Sequence, residues 1–483
     1  MQFHILSFEG PDPYARAGGI ASRIEGLSGT LADLGFDTHL WFVGDPGLPG
    51  HESRGPLTLH RWCQWISRYH PGGVYDGEEG KRADYAASLP PFLLQEVLAP
   101  ALREDDDPIV VMAEEWQTVD AVLHLDYLLR RGGLRERVRI LWNANNVFGF
   151  DRIDWARLAR AATLTTVSRY MRQRMWALGV DPLVVPNGIP QDILVPPDRG
   201  AVARLRRLVA GRTLVTKIAR WDPDKRWLLA VDSVRELKRD GQRPLLVARG
   251  GMEAHGAEVL ARAAADGLRV VEHETSCQGC AALLEGLRAA GGADIAVLKW
   301  RLCPEEKRTL FRISSAVLVN SGHEPFGLVG LEAMAAGGVA CVGGTGEDYA
   351  IGGWNALVLQ TCDPRELGML LRWLRSNPRE EDRIRRRASA TARSWTWQDV
   401  ICRNLLPAIR LHPEARAEAT VRRETDPQEE AGARGPQHVP HRAGADGEMV
   451  SRLRVVTHSR VVRATAGGAS VNVEDSEDSG PTP

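Results

Sequence analysis

Glu324-Pro325-Phe326-Gly327-Leu328-Val329-Gly330-Leu331-Glu332-Ala333-Met334-Ala335-Ala336-Gly337 sets two carboxylates eight residues apart around a Pro and a Gly, shortly after the apolar run Ala316-Val317-Leu318-Val319-Asn320. The β-branched run reads as a buried strand, Pro325 as a loop, and the Ala-rich stretch from Gly327 as a helix. Strand, loop and helix in that order form the repeating unit of an α/β sheet. Glu324 falls on the loop and Glu332 inside the helix, roughly 7 Å down its axis, so one extended ligand can touch both. The amides of Phe326, Gly327 and Leu328 are expected to be free, with the positive end of the helix dipole behind them. Gly327 lets a ligand approach the backbone closely.

The same unit recurs on both sides. Apolar, β-rich runs at 3–8, 38–43, 109–112, 138–142, 164–167 and 183–185 alternate with helical patterns, and a second series follows at 214–219, 245–248, 268–271, 295–298, 316–319 and 339–342. Each series predicts a doubly wound parallel sheet, whose ligands sit beyond the carboxyl ends of the strands. The turn Pro186-Asn187-Gly188-Ile189-Pro190 and the later Pro196-Pro197-Asp198 separate the two series. We therefore expect an α/β chain of two Rossmann-like domains facing a central cleft, residues 1–190 and 200–393, followed by a closing helix over 394–411. From 412 onward there is no Trp, Phe, Tyr or Ile, and Glu, Arg, Ala, Gly and Pro dominate. That composition predicts a disordered tail over 412–483, interrupted only by a short β-like segment at 452–456 and 461–462.

At 483 residues the chain exceeds one typical core. A formal net charge of −1 gives no general attraction to nucleic acid or to an acidic membrane. The opening Met1-Gln2-Phe3-His4-Ile5-Leu6-Ser7-Phe8-Glu9 lacks the basic n-region of a signal peptide, and no run approaches the ~18 apolar residues of a membrane span. A cytoplasmic protein without a transmembrane segment is the expectation, with peripheral membrane contact left open. Seven cysteines suit a reducing compartment better than a disulfide framework. Cys277-Gln278-Gly279-Cys280, with His273 and Cys303, has two readings: a Cys3His zinc set, or small side chains packed around one helix and strand. Lysine is confined to Lys81, Lys217, Lys225, Lys238, Lys299 and Lys307, so a lysine at a motif position carries weight.

The stretch 324–337 resembles the E-x7-E motif of family 4 retaining glycosyltransferases, enzymes of the two-domain GT-B fold. The resemblance implies that Glu324 contacts hydroxyls of the transferred sugar. It further implies that the amides of Phe326, Gly327 and Leu328 support sugar and phosphates, and that Glu332 binds the ribose of a nucleoside-diphosphate sugar. At the start of the second series, Lys217-Ile218-Ala219-Arg220-Trp221-Asp222-Pro223-Asp224-Lys225 carries Arg220 and Lys225 at the family's place and spacing for pyrophosphate ligands. Fixed cations there stabilise a departing nucleoside diphosphate more in the transition state than in the ground state. Asp222-Pro223-Asp224 is formally a D-x-D metal signature. Inside this loop its carboxylates are expected to shape the turn, in keeping with a metal-independent fold family. Arg16-Ala17-Gly18-Gly19-Ile20 resembles the Lys-x-Gly-Gly loop of glycogen and starch synthases, which implies donor binding by Arg16, Gly18 and Gly19. Gly343-Gly344-Thr345-Gly346-Glu347, Gly353-Trp354-Asn355-Ala356-Leu357-Val358 and Asn187-Gly188 resemble segments that support the site architecturally.

The first domain departs from the family. Relatives carry a His in a His-Asp-Trp segment and another in a Thr-x-His-Asn segment, whereas the corresponding stretches 113–118 and 141–146 hold none. Glu115 stands at the family's Asp, and Asn145 or Asn146 at the imidazole. With Trp62 and Trp65, from a cluster that also holds Tyr69, Tyr75 and Tyr85, these are the acceptor-side candidates. The resemblance over 1–409 implies transfer of a hexose to an acceptor hydroxyl with retention, through an oxocarbenium-like ion pair. It calls for no cofactor beyond the nucleotide-sugar co-substrate, and its Gly-Gly loop points towards glucan synthesis. Two rivals stand beside it: a nucleotide-sugar epimerase or phosphorylase on the same fold, and a non-catalytic sugar-nucleotide sensor or scaffold. Donor base, sugar, acceptor and oligomeric state have no signature in these residues.

Overall fold

The computed structural model describes residues 1–104 and 107–410. The tail expected over 412–483, with its β-like segment, lies outside the described residues.

The first sheet comprises β1 (Gln2–Leu6), β2 (Asp37–Val43), β3 (His51–Arg54), β4 (Leu57–Trp62), β5 (Ile109–Glu114), β6 (Val138–Ala144), β7 (Thr163–Thr166) and β8 (Leu183–Val184), in the order β3-β4-β2-β1-β5-β6-β7-β8. The second comprises β9 (Thr213–Ile218), β10 (Pro244–Arg249), β11 (Val270–His273), β12 (Ile295–Leu298), β13 (Ala316–Val319), β14 (Ala340–Val342) and β15 (Leu357–Val358), in the order β11-β12-β10-β9-β13-β14-β15. All pairings are parallel except the hairpin β3–β4. Every residue of β5, β12 and β13 is buried, because helices cover both faces of a parallel sheet.

Both sheets are doubly wound α/β sheets, as the alternating runs imply. The run at 268–271 becomes a strand only from Val270, and β3, β4 and β15 were not anticipated. β3 reads His51-Glu52-Ser53-Arg54, an exposed edge without apolar alternation, so only its pairing partner makes it a strand. Gly55, with φ +62°, makes the turn into β4.

Strand order reverses between β1 and β5 in the first sheet and between β9 and β13 in the second. At such switch points the loops leaving adjacent strands diverge and open a crevice at their carboxyl ends.

The chain returns to the first sheet at its end. A helix runs through Trp397–Val400, Ile401–Leu405 and Leu406–Arg410, and Trp397, Ile401 and Leu405 are buried with Phe3, Ile24 and Leu27. Gly188 is needed for this docking, since an added Cβ would stand 2.6 Å from the backbone N of Trp397. Ile189 N donates to Trp395 O at 2.9 Å and Trp397 N to Ile189 O at 3.1 Å, so the segment between the sheets and the terminal helix are zipped together. Among the described residues no helix is long and apolar enough to cross a membrane.

The zinc reading is not realised, because among the described residues no three His, Cys, Asp or Glu side chains converge to hold a metal. Cys280 Sγ donates to Glu305 at 3.1 Å, Cys303 N donates to Glu306 at 2.6 Å ahead of the helix Pro304–Ile313, and the His273 ring lies edge-on to Trp300.

Candidate active site

At the β9/β13 switch point the two loops are laced together. Asp222 accepts from Asp224 N at 2.9 Å, and Asp224 accepts from His323 N at 2.9 Å, while Gly322 N donates to Asp224 O at 2.7 Å. The D-x-D carboxylates thus shape the turn and tie it to the loop after β13. The lacing brings Lys225 Nζ to 2.8 Å from Glu324 Oε2, which also accepts from Ser321 Oγ at 2.8 Å. Glu324 Oε1 has no hydrogen bond among the described residues. Arg220, on the loop after β9, is exposed; among the described residues its guanidinium enters no hydrogen bond or ion pair, and its charge acts on Glu253. A site with a shared cation, a free cation and a free carboxylate oxygen can receive an anion flanked by hydroxyls.

Beneath this pair lies Lys217, which the sequence flags only by the rarity of lysine. It is buried in β9, donates to Asn320 Oδ1 at 2.7 Å and lies 5.1 Å from the Trp227 ring centroid. Burial, and then the neighbouring Lys225, lower its pKa to about 7.

The Glu324 loop is latched at both ends of its peptide. Glu324 N donates to Thr345 Oγ1 at 3.2 Å, and Gly346 N donates to Glu324 O at 2.8 Å. Thr345 in turn donates through N and Oγ1 to Glu347 Oε2, at 3.1 and 3.2 Å. Burial, and then the nearby Glu324, raise the Glu347 carboxyl to about 7. The Gly-Gly-x-x-Glu segment therefore supports the site architecturally, as its resemblance implies.

The helix after Gly327 spans Leu328–Ala335. Leu328 N is not free, since it donates to Phe326 O at 3.0 Å in a tight turn; this corrects the expectation of three open amides. The amides of Phe326 and Gly327 carry no bond among the described residues. The Phe326 ring is buried against Tyr349 and Trp395 and holds the turn in place. Glu332 pairs with Lys307 Nζ at 2.9 Å and lines a cavity with Pro190, Ile193, Pro304, Lys307 and Phe311. Sequence reasoning missed Lys307, because the helix that carries it has no motif. A second cavity opens at Gly343–Asp348 and reaches Arg169, the first residue of the helix Arg169–Trp176 that follows β7. There Arg169 N donates to Asp348 at 2.8 Å, and the Tyr170 hydroxyl meets His323 Nδ1 at 2.8 Å, one residue from Glu324.

On the first-domain side, the β1/β5 switch point presents Glu9, Glu115 and Asn145, each just beyond a strand end. The N-terminal end of the helix Gly19–Asp33 is already occupied: Glu9 Oε2 accepts from Gly18 N at 3.1 Å and Ala21 N at 3.0 Å. Arg16 pairs with Glu25 at 2.7 Å. Gly18 thus holds an oxyanion together with Ala17 and Ala21, whereas Gly19 makes no bond to it, and the oxyanion is an internal carboxylate, which corrects the expectation of donor binding by Arg16, Gly18 and Gly19. Below lies a buried hub in which Arg23 Nε donates to Glu114 at 3.1 Å and Arg23 Nη1 to Asn187 at 2.7 Å. Asn143 and Asn145 also donate to Glu114, at 2.8 and 2.7 Å.

Glu115 holds φ +70°, a conformation costing about 1–3 kcal/mol for a non-glycine residue. It accepts from Asn145 N at 2.6 Å, and burial pushes its carboxyl up to about 8. Asn146 turns away to cap Phe148 N. Trp62 packs against Trp41 and Phe92 and donates to Ser88, and Tyr85 is buried, so these two anchor the sheet. That corrects the expectation of a sugar-stacking face at Trp62; Trp65 is 62% exposed and free of such packing.

Residues 287–392, which contain Glu324, Glu332 and the Gly343–Glu347 loop, match the family model of glycosyl transferases group 1. A search of curated proteins returned no match. Among solved structures, the catalytic domain of starch synthase IV from Arabidopsis thaliana, bound to ADP and acarbose, is similar with a TM-score of 0.60 at 13% identity, covering 85% of this chain and 99% of that one. Sucrose-phosphate synthase from Thermosynechococcus elongatus is similar with a TM-score of 0.58 at 15% identity, covering 88% and 100%. A UDP-forming α,α-trehalose-phosphate synthase from Burkholderia vietnamiensis is similar with a TM-score of 0.55 at 15% identity, covering 85% and 100%. The fold is GT-B, two Rossmann-like domains in one chain.

Proposed function

We propose that this protein is a retaining glycosyltransferase that moves a hexose from a nucleoside-diphosphate sugar to an acceptor hydroxyl. The observation that carries the reading is Lys225 held 2.8 Å from Glu324 across the β9/β13 switch point, with Arg220 exposed on the same loop as Lys225. The group 1 match over 287–392 supports it, as does the ADP bound to the Arabidopsis starch synthase domain of similar fold.

Arg220 and Lys225 receive the pyrophosphate, the free amides of Phe326 and Gly327 face it, and Glu324 Oε1 accepts from a hydroxyl of the sugar. The bond between the anomeric carbon and the phosphate oxygen breaks, and its electron pair leaves with the nucleoside diphosphate. The acceptor oxygen bonds to the same face of the anomeric carbon, and its proton passes to the leaving phosphate. Cations fixed before the reaction stabilise the charge growing on that phosphate without reorganisation. Glu332 and Lys307 hold the ribose end.

The test incubates the full-length protein with ADP-, UDP- or GDP-glucose and with glucan or small hydroxyl acceptors. Nucleoside diphosphate release and product are measured, with the anomeric configuration read by NMR. One donor giving α-linked product from an α-donor, lost in Glu324→Ala, is the expected result. Donor binding without product from any pair would favour a sugar-nucleotide sensor, and inversion would overturn the retaining step.

A further inference from the structure

The first-domain end of the proposed active site has an unusual balance of hydrogen-bonding groups. Tyr75 donates its hydroxyl proton to Glu9 Oε1 at 2.7 Å, leaving the phenol oxygen with lone pairs only. Burial first, and then Glu9, Glu115 and Glu78 in turn, push that phenol above its ordinary range. Gln117 Nε2 donates to Glu78 at 2.8 Å, and Asn145 Nδ2 to Glu114 at 2.7 Å. Each amide presents its N–H to a carboxylate, which an amide oxygen could not replace, so the carbonyl oxygens are left as the unpartnered ends. Gln117 and Asn145 are 6% and 9% exposed, and among the described residues Gln117 Oε1 and Asn145 Oδ1 have no partner. A buried acceptor without a donor is costly, and here there are two of them among carboxyl groups.

The cations on neighbouring elements are committed elsewhere. Arg23 pairs with Glu114, Arg16 with Glu25, and Arg82 with Glu79 and Asp120. Lys81 donates to the Tyr14 hydroxyl and to backbone carbonyls, and Arg152 stacks on Trp116. What the cluster lacks is therefore a donor-rich positive group.

Resting on the glycosyltransferase reading, we infer that the acceptor is an amine-bearing polyol, an amino sugar or aminocyclitol, whose ammonium sits among Glu78, Glu115 and the free oxygens of Asn145 and Gln117. An ammonium has three donors and no acceptor, which complements this set. The Tyr75 ring, 39% exposed, offers a face to the same cation. A neutral sugar would satisfy the two amide oxygens through its hydroxyls but would bring no positive charge to Glu78 and would leave Glu115 protonated. Glu115 supplies a signature of binding: an ammonium beside it favours the ionised form of a carboxyl otherwise held near 8, so binding at neutral pH releases a proton.

The experiment is isothermal titration of the full-length protein. ADP, UDP and GDP are titrated first, which tests the transferase reading on its own. Glucosamine and 2-deoxystreptamine are then titrated against glucose, N-acetylglucosamine and myo-inositol, with and without saturating nucleotide, in buffers of different ionisation enthalpy. The expected result is binding of at least one amine about tenfold or more tighter than its neutral counterparts, with proton release at neutral pH. That preference should fall to the neutral level in Glu115→Gln and in Glu78→Gln, the second lying at the first turn of a surface helix where folding is not at stake. Neutral compounds binding as tightly as amines, or no amine binding at all, would overturn the inference. Absence of nucleotide binding would instead sink the transferase reading, and the amine preference would still be decided by the sugars alone.

Discussion

Gly346→Ala offers the sharpest test of how the candidate site is held. A Cβ built on Gly346 stands 2.2 Å from Pro325 O and 2.3 Å from Glu324 O, both rigid backbone atoms. Carbon and carbonyl oxygen rest in contact at about 3.3 Å, so the Glu324 loop must retreat by about 1 Å. Its φ lies outside the left-handed region, so the backbone tolerates alanine and the effect is steric alone. A displacement of about 1 Å in a positioning element costs about 100-fold in rate, or about 2.7 kcal/mol of transition-state stabilisation. Overpacking of this kind costs about 1–3 kcal/mol of stability. Gly344→Ala is the internal control, because an added Cβ there meets nothing within 4 Å and the same loop stays in place. Measuring kcat and KM for sugar transfer, donor affinity by calorimetry and urea denaturation separates the two effects. If Gly346→Ala kept wild-type turnover and stability, the latch between residues 345–346 and Glu324 would not position the carboxylate, and the reasoning would be refuted.

Lys225→Ala should lower kcat by about 10²–10³ with little change in stability, read from single-turnover transfer, since the lost cation acts on charge that develops at the leaving phosphate. Arg23→Met leaves Glu114 buried without its cation and should cost about 3–5 kcal/mol in urea denaturation; pairing it with Glu114→Gln should recover part of that loss. Glu347 has a folded pKa near 7 against an ordinary 4.5, so the folded state holds the proton longer. Its contribution to stability is full below the ordinary value and fades as pH rises through about 7. Between pH about 5 and about 7.5 the wild type should therefore lose stability relative to Glu347→Gln, and parallel urea curves at both pH values would contradict the assignment.

Alternating β-rich and helical runs, punctuated by Pro and Gly, were enough to specify two doubly wound sheets, because burial on both faces demands continuous apolar strands whatever the neighbours are. The exposed edge β3 escaped for the converse reason: its only structural signal is a partner strand. The placement of Glu324, Lys225 and Arg220 on loops that leave strand ends was legible because Pro and charged residues follow directly on apolar strand runs. What no pattern could reveal is which groups already satisfy one another. Glu9 fills the helix end at Gly18, Leu328 N closes on Phe326 O, Lys307 meets Glu332, and Trp62 turns inward. Each of these is a contact between groups whose identities are local but whose distance is set by folding. Local residue types determine what each element can be, whereas only tertiary packing decides which donors and acceptors remain open for a ligand.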